Sequence, residues 1–129
     1  MKVKIYPVYS NYRNNWLTVL KDEKENKKII EGNNPGETYL PLYLTALLEG
    51  LKKIKYPVDI IIYTPFKRVE VIINEKHFKS NNYIDNHKLW RKIKKELDKH
   101  KSVKSIRTRF IDDKTYYKIY KYFKEKNSR

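Results

Sequence analysis

Cysteine is absent from the 129 residues. That excludes disulfides and thiolate-bound zinc, and it fits a reducing compartment. Glycine occurs three times, as Gly32, Gly36 and Gly50. None stands in a Gly-rich phosphate loop, and Gly50 falls inside a helical pattern. No apolar run approaches the roughly 20 residues needed to cross a bilayer. The opening MKVKIYPVYS alternates like a strand and lacks the apolar stretch of a signal peptide, so a cytoplasmic location without a membrane partner is expected. His77, His87 and His100 show no zinc spacing with one another or with acids, and each is expected at the surface. Ser10, Ser80, Ser102, Ser105 and Ser128 lie in no nucleophile motif. The sequence therefore calls for no cofactor and no metal.

Positive charge is what the chain has in excess. The net charge is +15, divided as +3 over residues 1–60 and +12 over residues 61–129. A one-sided basic field attracts polyanions, nucleic acid first. Lysine supplies 24 of the 30 basic side chains, and an AT-rich genome would produce the same bias without selection for binding. With 40% hydrophobic and 35% charged residues, the length suits one domain with a buried core and a solvated surface. That domain is expected over 1–126, with a frayed tail at 127–129.

Periodicity divides the chain. Residues 2–9 alternate Val3, Ile5 and Pro7 against Lys2, Lys4 and Tyr6, a half-buried strand. NNWLTVLKD and KKIIEG, separated by the polar KENK, predict an antiparallel hairpin, and GNNPGE ends the meander. TYLPLYLTALLEGLKKIK predicts a helix. Thr38 stands at the cap, Pro41 fits the first turn, and Leu44, Leu47, Leu48 and Leu51 share a face. Ile60, Ile61 and Ile62 lack alternation, as in a strand covered on both sides. FKRVEVIINEK predicts a short helix and KSNNYIDN a loop. Residues 86–101 are amphipathic through Leu89, Trp90, Ile93 and Leu97, with Asp85 or Asn86 as the cap. SVKSIRTRFI predicts a strand alternating Val103, Ile106, Thr108 and Phe110. DDKTYYKIYKYFKEK predicts a last helix, capped by Asp112 or Asp113, with Tyr116, Ile119, Tyr120 and Phe123 inward. The fold class is therefore α/β: a three-stranded antiparallel meander plus parallel strands, in one mixed five-stranded sheet flanked by helices.

Four local strings in this order resemble the ribonuclease H family. VKIYPVYS is similar to its first strand, Val-x-Ile-Tyr-x-Asp-Gly-Ser, through Val3, Ile5, Tyr6 and Ser10. YLTALLEGLKK is similar to Glu-Tyr-x-Ala-Leu-Ile-Glu-Gly-Leu-Lys through Ala46, Leu47, Glu49, Gly50, Leu51 and Lys52. IIIYTPFKRV resembles the fourth strand and its exit. NHKLWRKI resembles a helix start, Asn-x-x-Leu-Trp, through Asn86, Leu89 and Trp90. The resemblance spans about residues 2–123 and implies a family fold whose acids hold two divalent metals for phosphodiester hydrolysis. Carried over by position, those acids fall on Val8, Tyr43 and Pro65, and the last near Ile119. Valine and proline offer no oxygen, and a neutral tyrosine is a poor ligand for a hard cation. Glu37 is a possible alternative to Tyr43 only with an insertion before Ala46, and it leaves Val8 and Pro65 unrepaired. The resemblance thus implies a degenerate nuclease without catalytic residues or metal.

What remains is a binding surface. Lys88, Arg91, Lys92, Lys95 and Lys99 share the outer face of the 86–101 helix, and Arg107 and Arg109 are expected to extend it from the adjoining strand. Five to seven phosphate contacts there would give salt-sensitive binding. Tyr6, Tyr9, Tyr12 and Trp16 cluster near the exit of the first strand, available for base stacking or for a protein partner. The expected function is a non-catalytic nucleic-acid-binding protein, engaging RNA or a structured or hybrid nucleic acid. Two alternatives stand beside it. One is a small inhibitor or adaptor encoded by a phage or mobile element, docking on a host nucleoprotein or defence nuclease. The other is a divergent metal-dependent nuclease with relocated acids.

Overall fold

A computed structural model describes residues 2–10, 14–74, 86–101 and 106–127. The elements follow the predicted order: β1 Lys2–Ser10, β2 Asn15–Asp22, β3 Lys27–Asn33, α1 Tyr39–Lys52, β4 Asp59–Thr64, α2 Lys67–Asn74, α3 His87–Lys101, β5 Ile106–Phe110 and α4 Asp113–Asn127. The strands form one sheet in the order β3-β2-β1-β4-β5. β1–β2 and β2–β3 are antiparallel; β1–β4 and β4–β5 are parallel. The mixed five-stranded sheet is as expected. The predicted loop at 79–86 lies outside the described residues except for Asn86, and Val103 and Asp85 lie outside them too. α4 reaches Asn127, one residue into the expected tail, a difference of the size that helix-end definitions carry.

Local chemistry explains the turns. The Asp22 carboxylate accepts the backbone N–H groups of Lys24 and Asn26, each at 2.9 Å, and so holds the β2–β3 hairpin closed. Gly36 turns the chain toward α1 at φ 84°, a conformation open to glycine without penalty. Asn86 opens α3 at φ 67° and accepts the Trp90 N–H at 3.0 Å through its carbonyl. Asp112 Oδ1 accepts the Thr115 N–H at 2.7 Å, the expected cap. Thr38 differs from expectation: it precedes α1, but its side chain makes no cap hydrogen bond. The third helical residue is Pro41, which has no N–H to offer a capping oxygen.

α1 is the central packing element. Leu42, Tyr43, Leu44, Ala46, Leu47, Leu48 and Leu51 are all buried, so the expected deep cover is observed. The buried Thr18 hydroxyl donates to the Ala46 carbonyl at 2.6 Å, which fixes α1 over β2. A Cβ added to Gly50 would stand 2.7 Å from Thr18 Cγ2, so helix and sheet touch there only because the residue is glycine.

Register assigns the faces. Ile5, Thr18 and Leu20 meet Gly50, and Ile5 pairs with Ile62. Ile62 pairs with Thr108, whose hydroxyl lies 3.5 Å from the Glu70 carboxylate on α2. α3 packs on α1, so α1, α2 and α3 share one side of the sheet. α4 lies on the other, over β1 and β2. There Lys124 pairs with Glu31 at 2.7 Å, and Lys27 stands over the Phe123 ring. The predicted inner stripe of α4 holds: Tyr116 is buried, and Ile119, Tyr120 and Phe123 pack against the core.

Phe110, the last residue of the predicted alternation, is 49% exposed. β5 is an edge strand, and the Phe110 ring ends it with Lys67 Nζ 5.4 Å above the centroid. His100 was expected at the surface but is 2% exposed, and its Nδ1 accepts the Val58 N–H at 3.1 Å. Burial pushes its pKa down; Glu96 opposes this and Lys99 adds to it.

Two outcomes follow from this packing. Gly50→Ala would favour an exposed helix, but here it should destabilise by about 1–3 kcal/mol through overpacking against a stiff threonine, measured by urea unfolding. For His100, the unfolded chain binds the proton more readily than the folded one. Stability should therefore be full above about pH 6.5 and fall as the pH drops through that value toward the lower folded pKa. Unfolding at pH 7.5 and 5.5 checks this, and His100→Gln should flatten the difference.

Candidate functional site

β1 and β4 run parallel side by side, but β1 continues into β2 on one flank and β4 leads to β5 on the other. This is a topological switch point, and open α/β sheets bind ligands beyond the carboxyl ends of such strands. The β1–β4 register ends at Ile5↔Ile62, two residues before Pro7, which has no N–H to carry the ladder on. Beyond that point the strand ends diverge, and the first turn of α2, the start of α4 and Tyr43 of α1 converge on the gap.

Aromatic side chains fill the gap. Tyr9 packs against Tyr116 at 5.0 Å between centroids, Phe66 at 5.8 Å and Tyr39 at 5.7 Å. Phe66 meets Tyr43 edge-on at 5.3 Å. The Tyr43 ring is wholly buried, and its hydroxyl donates to the Tyr63 carbonyl at 2.7 Å. Thr64, also buried, accepts the Phe66 N–H at 3.1 Å through Oγ1, which turns the chain through Pro65 into α2. Burial raises the pKa values of Tyr43, Tyr9 and Tyr116 above the ordinary phenol value. All three rings therefore stay neutral near pH 7.

The chain is similar to an N-terminal RNase H domain from Mycobacterium tuberculosis, solved as a fusion with maltose-binding protein. The TM-score is 0.65, with 14% identity over 90% of this chain and 92% of that one. The fold is RNase H-like. At that identity the likeness is one of architecture alone. No family model and no curated protein matches the chain.

The resemblance read in the sequence implies a metal pair held by carboxylates, and the residues at the positions it indicates do not fit one. Val8 is fully buried and has no oxygen. Pro65 is half-buried and has none either. The Tyr43 hydroxyl is engaged with the Tyr63 carbonyl, and Ile119 packs on the core. Two carboxylates do bear on the aromatic cluster. Glu70 acts on Tyr43 and is itself paired with Lys67 at 3.6 Å. Asp113 acts on Tyr9 and Tyr116. The exposed Glu37 lies in the turn before α1, where its carbonyl accepts the Asn14 side-chain amide at 2.5 Å.

The expected basic surface divides into two. Lys88, Arg91, Lys92, Lys95 and Lys99 are exposed on α3, and Lys99 pairs with Glu96 at 2.8 Å. Arg107 and Arg109 are exposed too, but they alternate with Thr108 along β5 and so stand on the opposite side of the sheet from α3. The expected aromatic cluster also divides. Trp16 is buried against Leu42 and Ala46, with its Nε1 donating to Asn34 Oδ1 at 2.9 Å, so it cannot stack on a base. Its buried partners Leu42 and Ala46 explain why. Tyr9 belongs to the crevice filling, Tyr6 to the α4 side of the sheet, and Tyr12 lies outside the described residues. Sequence reasoning missed Tyr63 and Phe66; the signal was their placement flanking the strand exit, one on each side of Thr64-Pro65.

Tyr43→Phe removes the hydroxyl while keeping the ring. It should lower stability by about 1 kcal/mol in urea unfolding.

Proposed function

We propose that this chain is a non-catalytic RNase H-like protein that binds RNA, or a hybrid or structured nucleic acid, and acts by occupancy. The observation that carries the reading is the filled crevice. Tyr9, Tyr43, Phe66 and Tyr116 occupy with packed rings the space at the strand ends where the resemblance implies metal-bound acids. A cation placed among them would lose its hydration and find no carboxylate among the four packed side chains, a costly burial of charge.

Binding rests on different residues. Lys88, Arg91, Lys92 and Lys95 project from α3 into solvent on one broad face. A row of cations on one helix face suits phosphate contacts that position a ligand without reading its sequence. The likeness to an RNase H domain supports nucleic acid as the ligand class, and the shape of A-form duplexes favours such backbone recognition.

Fluorescence anisotropy with labelled RNA–DNA hybrid and RNA duplex tests this. Lys92→Glu with Lys95→Glu should weaken binding at least tenfold and lower the log–log salt slope by about two. Magnesium or manganese should produce no cleavage. Unchanged affinity would remove α3 from the interface. Metal-dependent cleavage would instead favour the relocated acids Glu70 and Asp113. Pull-down before and after nuclease treatment separates a nucleic-acid ligand from a directly docked protein.

A further inference from the structure

Among the described residues, α4 lies over only part of its side of the sheet. α4 starts beyond β5 but rests on β1 and β2. The remaining area, over β1, β4 and β5, is laid out by register. Lys4 pairs with Ile61, and Ile61 with Arg107. In the next row Tyr6 neighbours Tyr63, their rings stacked at 4.4 Å and inclined by 10°, and Tyr63 pairs with Arg109. The result is two rows across three strands: Lys4–Ile61–Arg107 and Tyr6–Tyr63–Arg109. Rows lie about 7 Å apart and strands about 4.8 Å apart.

We propose that this face is a stacking platform for single-stranded nucleic acid. The inference rests on the reading of the chain as a nucleic-acid binder, and it adds a second site on the side of the sheet opposite α3. Both tyrosines are half-buried and both arginines exposed. The rings are thus held in place by their own stack while the cations remain accessible. Ile61, between Lys4 and Arg107 in register, is 5% exposed, so the accessible surface is that of the ring pair and the cations. Two acids stand at its margin: Asp59, the register neighbour of Lys2 in the row below, and Glu25, whose charge reaches Tyr6 and Lys4.

The grid matches a single strand better than the other polyanions. Unstacked bases present π-faces to aromatic rings, and the backbone presents phosphates to arginine and lysine. A duplex keeps its bases stacked and offers a flat sheet only one phosphate ridge. An acidic peptide supplies charge but leaves the ring pair unused. Because stacking and phosphate contacts are both tolerant of sequence, the site should bind without strong base preference.

Twelve-nucleotide oligo(U) and a twelve-base-pair RNA duplex distinguish the two sides of the sheet. Arg107→Glu with Arg109→Glu, both exposed, should preserve the fold by circular dichroism. The pair should weaken oligo(U) binding at least tenfold and lower its salt slope by about one to one and a half, with little effect on the duplex. Oligo(U) should also shift the ring resonances of Tyr6 and Tyr63 in the wild-type protein. Lys92→Glu with Lys95→Glu should do the reverse, weakening the duplex and sparing oligo(U). Unshifted tyrosines, or oligo(U) affinity insensitive to the arginine pair, would overturn the platform while leaving the α3 interface standing. Failure of the wild type to bind either probe would sink both readings. Arginine-dependent binding of polyglutamate in place of oligo(U) would assign the face to an acidic protein and overturn the proposal.

Discussion

The Tyr43 hydroxyl bonded to the Tyr63 carbonyl ties the central helix to the tip of β4 at the point where the two parallel strands part. Much of the molecule's character follows from that contact. With the phenol drawn inward, Phe66 closes on it from the start of α2, and Tyr9 and Tyr116 close the remaining side. The crevice that the topology creates becomes continuous with the hydrophobic core. Val8 beneath it is sealed from solvent. A carboxylate at that depth would need partners to offset its desolvation, and the surrounding rings carry phenol hydroxyls but no cation.

Most of the architecture was legible in the sequence because its signals are local. The unbroken Ile60, Ile61, Ile62 run, the leucines of α1 and the stripe of α3 each report a burial pattern that survives in the structure. The candidate site was half legible. Motif positions directed attention to Val8, Tyr43 and Pro65, whereas the rings filling the gap come from β1, α1, α2 and α4 and meet only after folding. Trp16 shows the same limit. An aromatic near a strand exit looks available, but its pairing opposite Gly32 lets the indole sink between sheet and helix. Likewise His100 resembles any surface histidine in a lysine-rich helix until the loop before β4 brings the Val58 amide to it.

The positive field has a spatial meaning that composition could not give. Alternation along β5 sends Arg107 and Arg109 away from α3, so charge adjacent in sequence is separated by the thickness of the sheet. The two basic regions also differ in kind. α3 carries a row of solvated lysine and arginine side chains on its outer face. On the other side of the sheet, guanidinium groups stand beside a preformed ring pair. An RNase H-like fold hosts these features without dictating them, since function resides in the side chains a scaffold carries.

Manganese provides the most direct test of the filled crevice. In a paramagnetic NMR titration, a bound ion broadens every amide within reach. The account predicts no selective broadening at Val8, Tyr43 and Phe66 at millimolar manganese, beyond what exposed carboxylates elsewhere show. Saturable broadening centred on those three residues would contradict it.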